Sequence, residues 1–502
     1  MALRNGLNYR SGLNDGRAVW MRGQRLPNVA THPVLSGPVA SIAGLYDLQN
    51  DPTVTDALTR QVAGDIVPLS LCSPRSHAEL TQRGAAFSLS ASHTFGLMGR
   101  APDFVNVLLT AFDSAAEFFG DANPQFGDNI HAYHQWCRAN DKFVTHASIN
   151  PQTDRSKSSA EQSDATAHLK VVDESAAGIV VRGAKMIGTL VPIADEILVF
   201  PMPGYRPGDE AYTATFAIPV NTPGVTIVCR EPFGDPHGRD PFDHPLAAYD
   251  EIDALIIFDN VTVPWERVFL YNSIDKANAL YSTTTGQHHT GHQGVIRGLA
   301  KAELLCGIAV ELAESSGTAA YLHVQEMLGE ILSSLEIYRG AVRRVEEQAT
   351  LSRWGTVTPS LEAVRAIRYH FPKACARMIE VIQILGGGSL LGTPSHADLA
   401  ALTHLNPTRF FGTDGCGQDR IALLKLAWDA TGDSHGQRQA LYERNLAGDP
   451  VRLAATQYKD YDTTTVKESV ARALGARTAQ IGNHIDIRSV VTEMEPDTAC
   501  VE

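Results

Sequence analysis

The sequence contains no CxxC pair, no GxGxxG, no GxxxxGK[ST], and no uninterrupted apolar run of the roughly 18 residues a spanning helix needs. Each absence closes a class. Cys72, Cys137, Cys229, Cys306, Cys375, Cys416 and Cys500 are odd in number and widely spaced, which excludes a disulfide-stapled scaffold and fits reduced thiols in a cytoplasmic protein. Without a long apolar run, no membrane span is expected. The opening MALRNGLNYRSG has no apolar h-region, so no signal peptide is expected either. Without the two glycine-rich fingerprints, neither a Rossmann site nor a P-loop is indicated. Positive charge is also scarce. Lys plus Arg number 42 against 56 Asp plus Glu, a net −14 with no acidic tail or basic arm. Such a surface does not attract a phosphate backbone or an anionic bilayer, so neither nucleic acid nor membrane is an expected partner.

What is present is ordinary globular material, 44% hydrophobic and 20% charged, enough to build cores over 502 residues. At about 100–200 residues per domain, more than one domain is expected. The texture changes twice. Residues 1–150 read as mostly helical, with an apolar stripe from Asp103 to Phe119 and Pro102 placed just before it, where a first-turn proline is tolerated. Residues 151–275 carry short β-branched runs, GIVVRGAK, EILVFPM, YTATFAIPV, VTIVCR and DALIIFDNVTVP, which read as a small barrel or sandwich. Residues 276–502 return to helix. Val324, Met327, Leu328, Ile331, Leu332, Leu335, Tyr338, Val342 and Val345 keep a bundle spacing, and a second helix over Leu361–Leu385 is interrupted by Pro372. The predicted class is α+β: helices, a β domain, then a helical bundle, with ligands bound between domains.

Several segments carry chemistry-bearing residues, each with a plainer reading. In GLMGRAPDF, Gly99 permits a tight turn and Pro102 starts a helix, placing Arg100 at a helix entrance to stabilise an anionic oxygen; a surface loop arginine fits as well. In FVTHASINPQTDRS, His146 suits acid–base work or hydrogen bonding to an oxyanion. Asn150, Gln152 and Asp154 suit a heterocycle edge, or simply a capping loop. Thr189 lies in a kink between two strands, as a ligand contact or as β-branched filler. His288 and His292 share a helical face, but no HExxH pattern accompanies them, so a single catalytic or packing histidine is expected and no metal. Three glycines in QILGGGSLLG exceed what a helix cap needs and suggest ligand contact. LYERNLAGDPVR reads as a helix-to-turn element.

Together these segments resemble the 4-hydroxyphenylacetate 3-monooxygenase family, the oxygenase components of two-component flavin-dependent monooxygenases. The resemblance runs through DGRAVWMRGQRLPNVATHP, GLMGRAPDF, THASINPQTDR, GIVVRGAKMIGT, FDNVTVPWERVFLY, LAKAELLCGIA and KLAWDATGDSHGQRQALYERNLAGDPVR, in order over most of the chain. It implies an acyl-CoA-dehydrogenase-like fold with an N-terminal helical domain, a middle β domain and a C-terminal four-helix bundle in a homo-oligomer. It also implies FAD, supplied reduced by a separate NAD(P)H-dependent flavin reductase, with dioxygen as co-substrate. An aromatic ring is then hydroxylated through a flavin C4a-hydroperoxide. By the same resemblance Arg100 contacts the substrate hydroxyl, with His146 beside it and His292 near the activated flavin. His146, Ala147, Ser148, Gln152, Thr153, Asp154 and Arg155 form a flavin loop. Thr189 meets the isoalloxazine, and Ala447, Gly448, Asp449 and Pro450 form a late flavin turn.

One departure bears on specificity. Phe104 stands where the 4-hydroxyphenylacetate enzymes carry a tyrosine, and Pro201 and Met202 are apolar where the substrate loop usually carries hydroxyls. A larger, more apolar hydroxyarene or hydroxypyridine, of the kind met in natural-product tailoring, is therefore expected instead of 4-hydroxyphenylacetate itself. A lyase resembling 4-hydroxybutyryl-CoA dehydratase is the alternative within the same fold. It requires an iron–sulfur cluster, and no cysteine accompanies the His146 loop or the 280s. A non-catalytic flavin carrier is the remaining alternative.

Overall fold

The computed structural model describes residues 3–234, 240–412, 416–446 and 448–481. The chain divides into two compact units, Met1–Gly448 and Asp449–Glu502. In the second, helices Pro450–Asp460 and Thr464–Ile481 are described. Everything below concerns the first unit unless stated.

The helix predicted from Asp103 forms as Pro102–Ser114, with proline in its first turn, and every residue from Phe104 to Phe112 is buried. Such all-round burial makes it a central helix and not a surface one. The apolar stripe continues in a separate short helix, Ala116–Gly120, because Ala115 leaves helical geometry at φ −102°, ψ 28°.

The β-branched runs form strands at the predicted places. A six-stranded sheet has the order Gln24–Arg25, Val19–Met21, Val225–Cys229, Ala254–Pro264, Gly178–Lys185, Lys170–Ser175. A four-stranded sheet has the order Val268–Leu270, Thr215–Pro219, Glu196–Val199, Val144–Ala147. Neither closes, so of the two expected forms the described strands build open sheets and no barrel. Three of the strands come from before residue 151: Gln24–Arg25 pairs with Val19–Met21, Val19–Met21 pairs with Val225–Cys229, and Val144–Ala147 pairs in parallel with Glu196–Val199, setting His146 opposite Leu198. One apolar core accordingly serves both the first helices and the sheets.

A second core fills the bundle of Gly286–Ser315, Leu322–Glu347, Leu361–Gly386 and Gly417–Thr431. Pro372 does not interrupt its helix, contrary to expectation. Ile367, Phe371, Cys375 and Met378 are buried on either side of it, and their packing outweighs the one backbone bond that proline removes. Gly387, at φ +49°, ends the helix, and a Cβ there would meet no atom within 4 Å. The glycine run therefore serves the cap.

Candidate active site

Arg100 sits in the turn that feeds the Pro102–Ser114 helix. Its backbone N–H donates to Glu251 Oε1 at 2.6 Å, which fixes the turn against the six-stranded sheet. Its guanidinium lies over the Phe104 ring at 4.0 Å, a favourable cation–π distance. Nη1 donates to the Gly99 carbonyl and to the Tyr442 hydroxyl, each at 3.2 Å. Nε and Nη2 have no protein acceptor among the described residues. Gly99 has a reason other than the predicted one. Its φ is not positive; instead, a Cβ there would lie 1.8 Å from the Tyr442 hydroxyl. The glycine makes room for a tyrosine that comes from the far end of the chain.

His146 lies beside this arginine in a wall of rings. Its centroid is 5.5 Å from Phe104 and 5.9 Å from Phe200, and Phe200 stacks on Tyr281 at 6.2 Å. Nδ1 is buried and has no hydrogen-bond partner. Burial, then the charge of Arg100, pushes the imidazole pKa down to about 3. The ring is thus neutral at physiological pH, with one nitrogen to donate and one to accept.

Thr189 is held from two sides. Its hydroxyl donates to Asp253 Oδ1 at 2.7 Å and its carbonyl accepts from Thr145 Oγ1 at 2.6 Å. Asp253 also takes Arg230 Nε at 3.0 Å and Arg438 Nη2 at 3.2 Å. Burial raises the Asp253 pKa, but the two arginines outweigh it and hold the carboxyl below its usual range. Arg438 reaches Glu251 Oε2 at 3.1 Å, so Glu251 bridges the Arg100 turn and the Ser434–Asn445 helix. One helical turn further along, Glu443 takes both Nη atoms of Arg297 at 2.6 and 2.8 Å, and Lys301 Nζ at 2.5 Å. Burial opposes its ionisation, yet these two cations push the Glu443 pKa down to about 2.

The predicted flavin loop splits into a buried start and an exposed end. Ala147 and Ser148 are buried. The Ser148 carbonyl accepts from Lys185 Nζ at 3.4 Å, and the same ammonium donates to Asn150 Oδ1 at 2.7 Å. Burial pushes the Lys185 pKa down to about 7. Gln152, Thr153, Asp154 and Arg155 are exposed. Thr153 Oγ1 and the Asp154 N–H both bond Gln162 Oε1, and Asp154 caps Ser156. Pro201 is buried and Met202 exposed, directly after Phe200. Gly448 has φ +96°. In the second unit, Asp449 caps the helix that Pro450 begins by accepting from the Arg452 N–H at 2.9 Å. Ala447 lies outside the described residues.

His292 is placed elsewhere. Its Nε2 pairs with Glu346 Oε1 at 2.8 Å and its ring meets Phe87 at 5.6 Å, with no contact to Arg100 or His146 among the described residues. His289 bonds Arg83 at 2.7 Å and His288 the Pro359 carbonyl at 2.9 Å, so the three histidines take three separate partners. Sequence reasoning missed Tyr442, Glu251, Asp253, Arg438, Phe200 and Tyr281. A usable signal lay in 435–443: His435, Arg438, Gln439, Tyr442 and Glu443 recur at helical spacing as a polar stripe, and four of the five are buried.

Helices, open sheets and a four-helix bundle surround an arginine whose side chain meets no carboxylate among the described residues and a neutral histidine, both beside aromatic rings. Family models for the 4-hydroxyphenylacetate 3-hydroxylase N and C termini match residues 5–270 and 277–475. The chain belongs to the 4-hydroxyphenylacetate 3-hydroxylase family. It is 38% identical over 454 residues to the 4-hydroxyphenylacetate 3-monooxygenase oxygenase component of Thermus thermophilus, covering 90% of this chain and 93% of that protein. It is 31% identical over 456 residues to the oxygenase component of a Rhodococcus 4-nitrophenol 2-monooxygenase, covering 88% and 85%. The crystal structure of a 4-hydroxyphenylacetate 3-monooxygenase oxygenase component complexed with FAD and 4-hydroxyphenylacetate superposes with a TM-score of 0.90 at 36% identity, covering 95% of this chain and 100% of that one. An archaeal 4-hydroxybutyryl-CoA dehydratase shares the fold, with a TM-score of 0.85 at 18% identity over 99% and 100%.

Proposed function

We propose that this protein is the oxygenase component of a two-component monooxygenase. Its substrate is a hydroxylated aromatic ring, its cofactor FAD delivered reduced by a separate NAD(P)H-dependent reductase, and its co-substrate dioxygen. The observation that carries this reading is the convergence of Arg100 and His146 beside one aromatic wall. Arg100 keeps Nε and Nη2 without acceptors, and His146 keeps Nδ1 without a partner. A buried polar atom such as His146 Nδ1 is costly unless a ligand completes it, and the half-buried Arg100 side chain leaves its open N–H groups to water or a ligand.

The residues fit the cofactor. Thr189 gives its proton to Asp253, so Oγ1 remains an acceptor and suits a ring N–H such as reduced flavin carries. Ser148, Ala147 and His146 offer a buried edge of strand and loop, with Gln152, Thr153, Asp154 and Arg155 as the exposed continuation. Reduced flavin, when bound, activates dioxygen and delivers one of its atoms to the ring. The sum balances: phenol, dioxygen and reduced FAD give the dihydroxyarene, water and oxidised FAD.

This chain's residues do the rest. Arg100 attracts the phenolic oxygen as its anion, which enriches the ring carbons next to it for attack. Neutral His146 donates to that oxygen without adding a second charge. Phe104, Phe200 and Tyr281 exclude water, which protects the reactive oxygen species from loss as hydrogen peroxide. His292, bonded to Glu346, has no part in this step. The apolar Phe104 and Pro201 favour a larger, less polar hydroxyarene or hydroxypyridine over 4-hydroxyphenylacetate. Equal turnover of 4-hydroxyphenylacetate and apolar phenols contradicts that preference.

An oligomer suits the surface. Tyr321, Leu322, Leu332 and Ile337 are exposed apolar groups along one bundle helix and the residue before it, surface open to a second copy of the chain. No described helix is long and apolar enough to cross a membrane. The test of the reaction is turnover with reduced FAD, isotopically heavy dioxygen and a panel of phenols and hydroxypyridines. Heavy oxygen in the organic product supports it; hydrogen peroxide alone, with every ring returned unchanged, refutes it.

A further inference from the structure

The Tyr442 hydroxyl is half satisfied. Its oxygen accepts from Arg100 Nη1 at 3.2 Å, so its own hydrogen points away from Arg100. That hydrogen finds no acceptor among the described residues. The ring is surrounded by cations, with Arg438 at 4.7 Å, Arg297 and Lys301 at 5.6 Å and Arg100 at 5.8 Å from its centroid. Two carboxylates, Glu251 and Glu443, counter those charges. A phenol that accepts from an arginine is a stronger donor, because the two hydrogen bonds polarise one another. Gly99 is shaped around this hydroxyl, since any larger residue would occupy its place. Four residues after Arg100, Phe104 offers a ring and no hydroxyl.

We propose that Tyr442 is a second hydrogen-bond donor to the anionic oxygen that Arg100 attracts, and that it supplies the hydroxyl Phe104 lacks. The proposal rests on Arg100 being the ligand of the phenolic oxygen, as argued above. Burial raises the Tyr442 pKa to about 12, so the group keeps its proton throughout the neutral range and is a donor there and not a competing anion. The donor comes from the helix that also carries Arg438 and Glu443. Its position is therefore set by the ion pairs behind it, whatever substrate enters.

The test uses 4-nitrophenol as a probe, because its anion is coloured. The enzyme is loaded with reduced FAD under nitrogen, so that nothing turns over, and the ionisation of bound probe is titrated for wild type, Tyr442→Phe, Phe104→Tyr and the double variant. On wild type the probe should ionise at lower pH than in water. Tyr442→Phe keeps the ring and its cations, and should weaken the ionisation constant of bound probe about tenfold, the scale of one hydrogen bond to a charged group. Phe104→Tyr should restore most of that loss in the Tyr442→Phe background and add less in wild type. Binding of 4-nitroanisole, which has no ionisable hydroxyl, should be the same in wild type and Tyr442→Phe.

A Tyr442→Phe enzyme with the wild-type ionisation constant overturns the proposal. So does an equal loss of nitrophenol and nitroanisole binding without a change in ionisation, which is the mark of a merely structural tyrosine. Should Tyr442→Phe not fold, a Phe104→Tyr enzyme that lowers the ionisation pH by the full tenfold overturns it, because the place was then empty; a small or absent change supports it. A wild type that leaves the probe's ionisation as in water removes both this proposal and the assignment of Arg100. A wild type that lowers it, with Tyr442→Phe unchanged, removes this proposal alone.

Discussion

Arg100 and Arg297 stand around the same tyrosine ring, 5.8 and 5.6 Å from its centroid, yet their surroundings differ completely. Arg297 is fully buried, paired through both Nη atoms with Glu443 and bonded to the Gly96 carbonyl. Among the described residues Arg100 touches no carboxylate with its side chain; a ring face, a carbonyl and a hydroxyl are its neighbours. A buried cation matched by a carboxylate is scaffold, whereas the half-buried Arg100, with open N–H groups, is free to receive an anion. The paired region positions, and the unpaired region recognises.

If that division is right, the two regions should fail differently. The largest stability effect is expected from Glu443→Ala, which leaves Arg297 and Lys301 buried without a counter-charge. About 3–5 kcal/mol should be lost in urea unfolding, the usual cost of breaking a buried pair from one side. With its pKa held near 2 in the folded state and near 4.3 unfolded, Glu443 contributes stability that is complete above the unfolded value and disappears as pH falls through the folded one. The variant should therefore show a flatter acid limb than wild type. Arg100→Ala should do the opposite. Its unfolding midpoint should stay near wild type, while kcat/KM for hydroxylation falls on the order of 10²–10³-fold, the range for removing an oxyanion donor.

Gly99→Ala probes the seam between the regions. The added methyl displaces the Tyr442 hydroxyl, so about 1–3 kcal/mol of stability should be lost by overpacking, with weaker binding of ionised phenols. A gain instead of a loss is expected at Asp103, which accepts from Gln293 Nε2 at 3.1 Å and whose pKa burial lifts to about 7. A carboxyl raised in the folded state loses stability as pH rises from its unfolded value to its folded one. Asp103→Asn keeps the acceptor for Gln293 and should gain up to about 4 kcal/mol at pH 8 and nothing at pH 4, since each of the roughly three pKa units is worth about 1.4 kcal/mol. Thermal melts at the two pH values decide it.

The recognising region was more legible in the sequence than the positioning one. Arg100 and His146 sit in short, turn-rich segments whose residue types have few roles, and the strands show in β-branched runs such as GIVVRGAK, which forms Gly178–Lys185. The errors came where tertiary packing overrides local chemistry. Pro372 reads as a break, but the buried faces on either side carry the helix through it. Gly99 reads as a turn residue and lies in a turn, but its making room for Tyr442, 343 positions away, has no local sign. Glu251 and Asp253 go unread in the sequence, because no local pattern there tells a paired buried ion from a solvated one. His292 shares its helix with Arg297 and Lys301, and only the packing shows that it faces Glu346.

The most direct test of the account is a single-turnover comparison of wild type and Arg100→Ala, each loaded with reduced FAD and an apolar phenol and then mixed with isotopically heavy dioxygen. The account predicts heavy oxygen in the hydroxylated product from wild type, and hydrogen peroxide with unchanged phenol from Arg100→Ala at equal flavin oxidation. Equal labelled product from both proteins would contradict it.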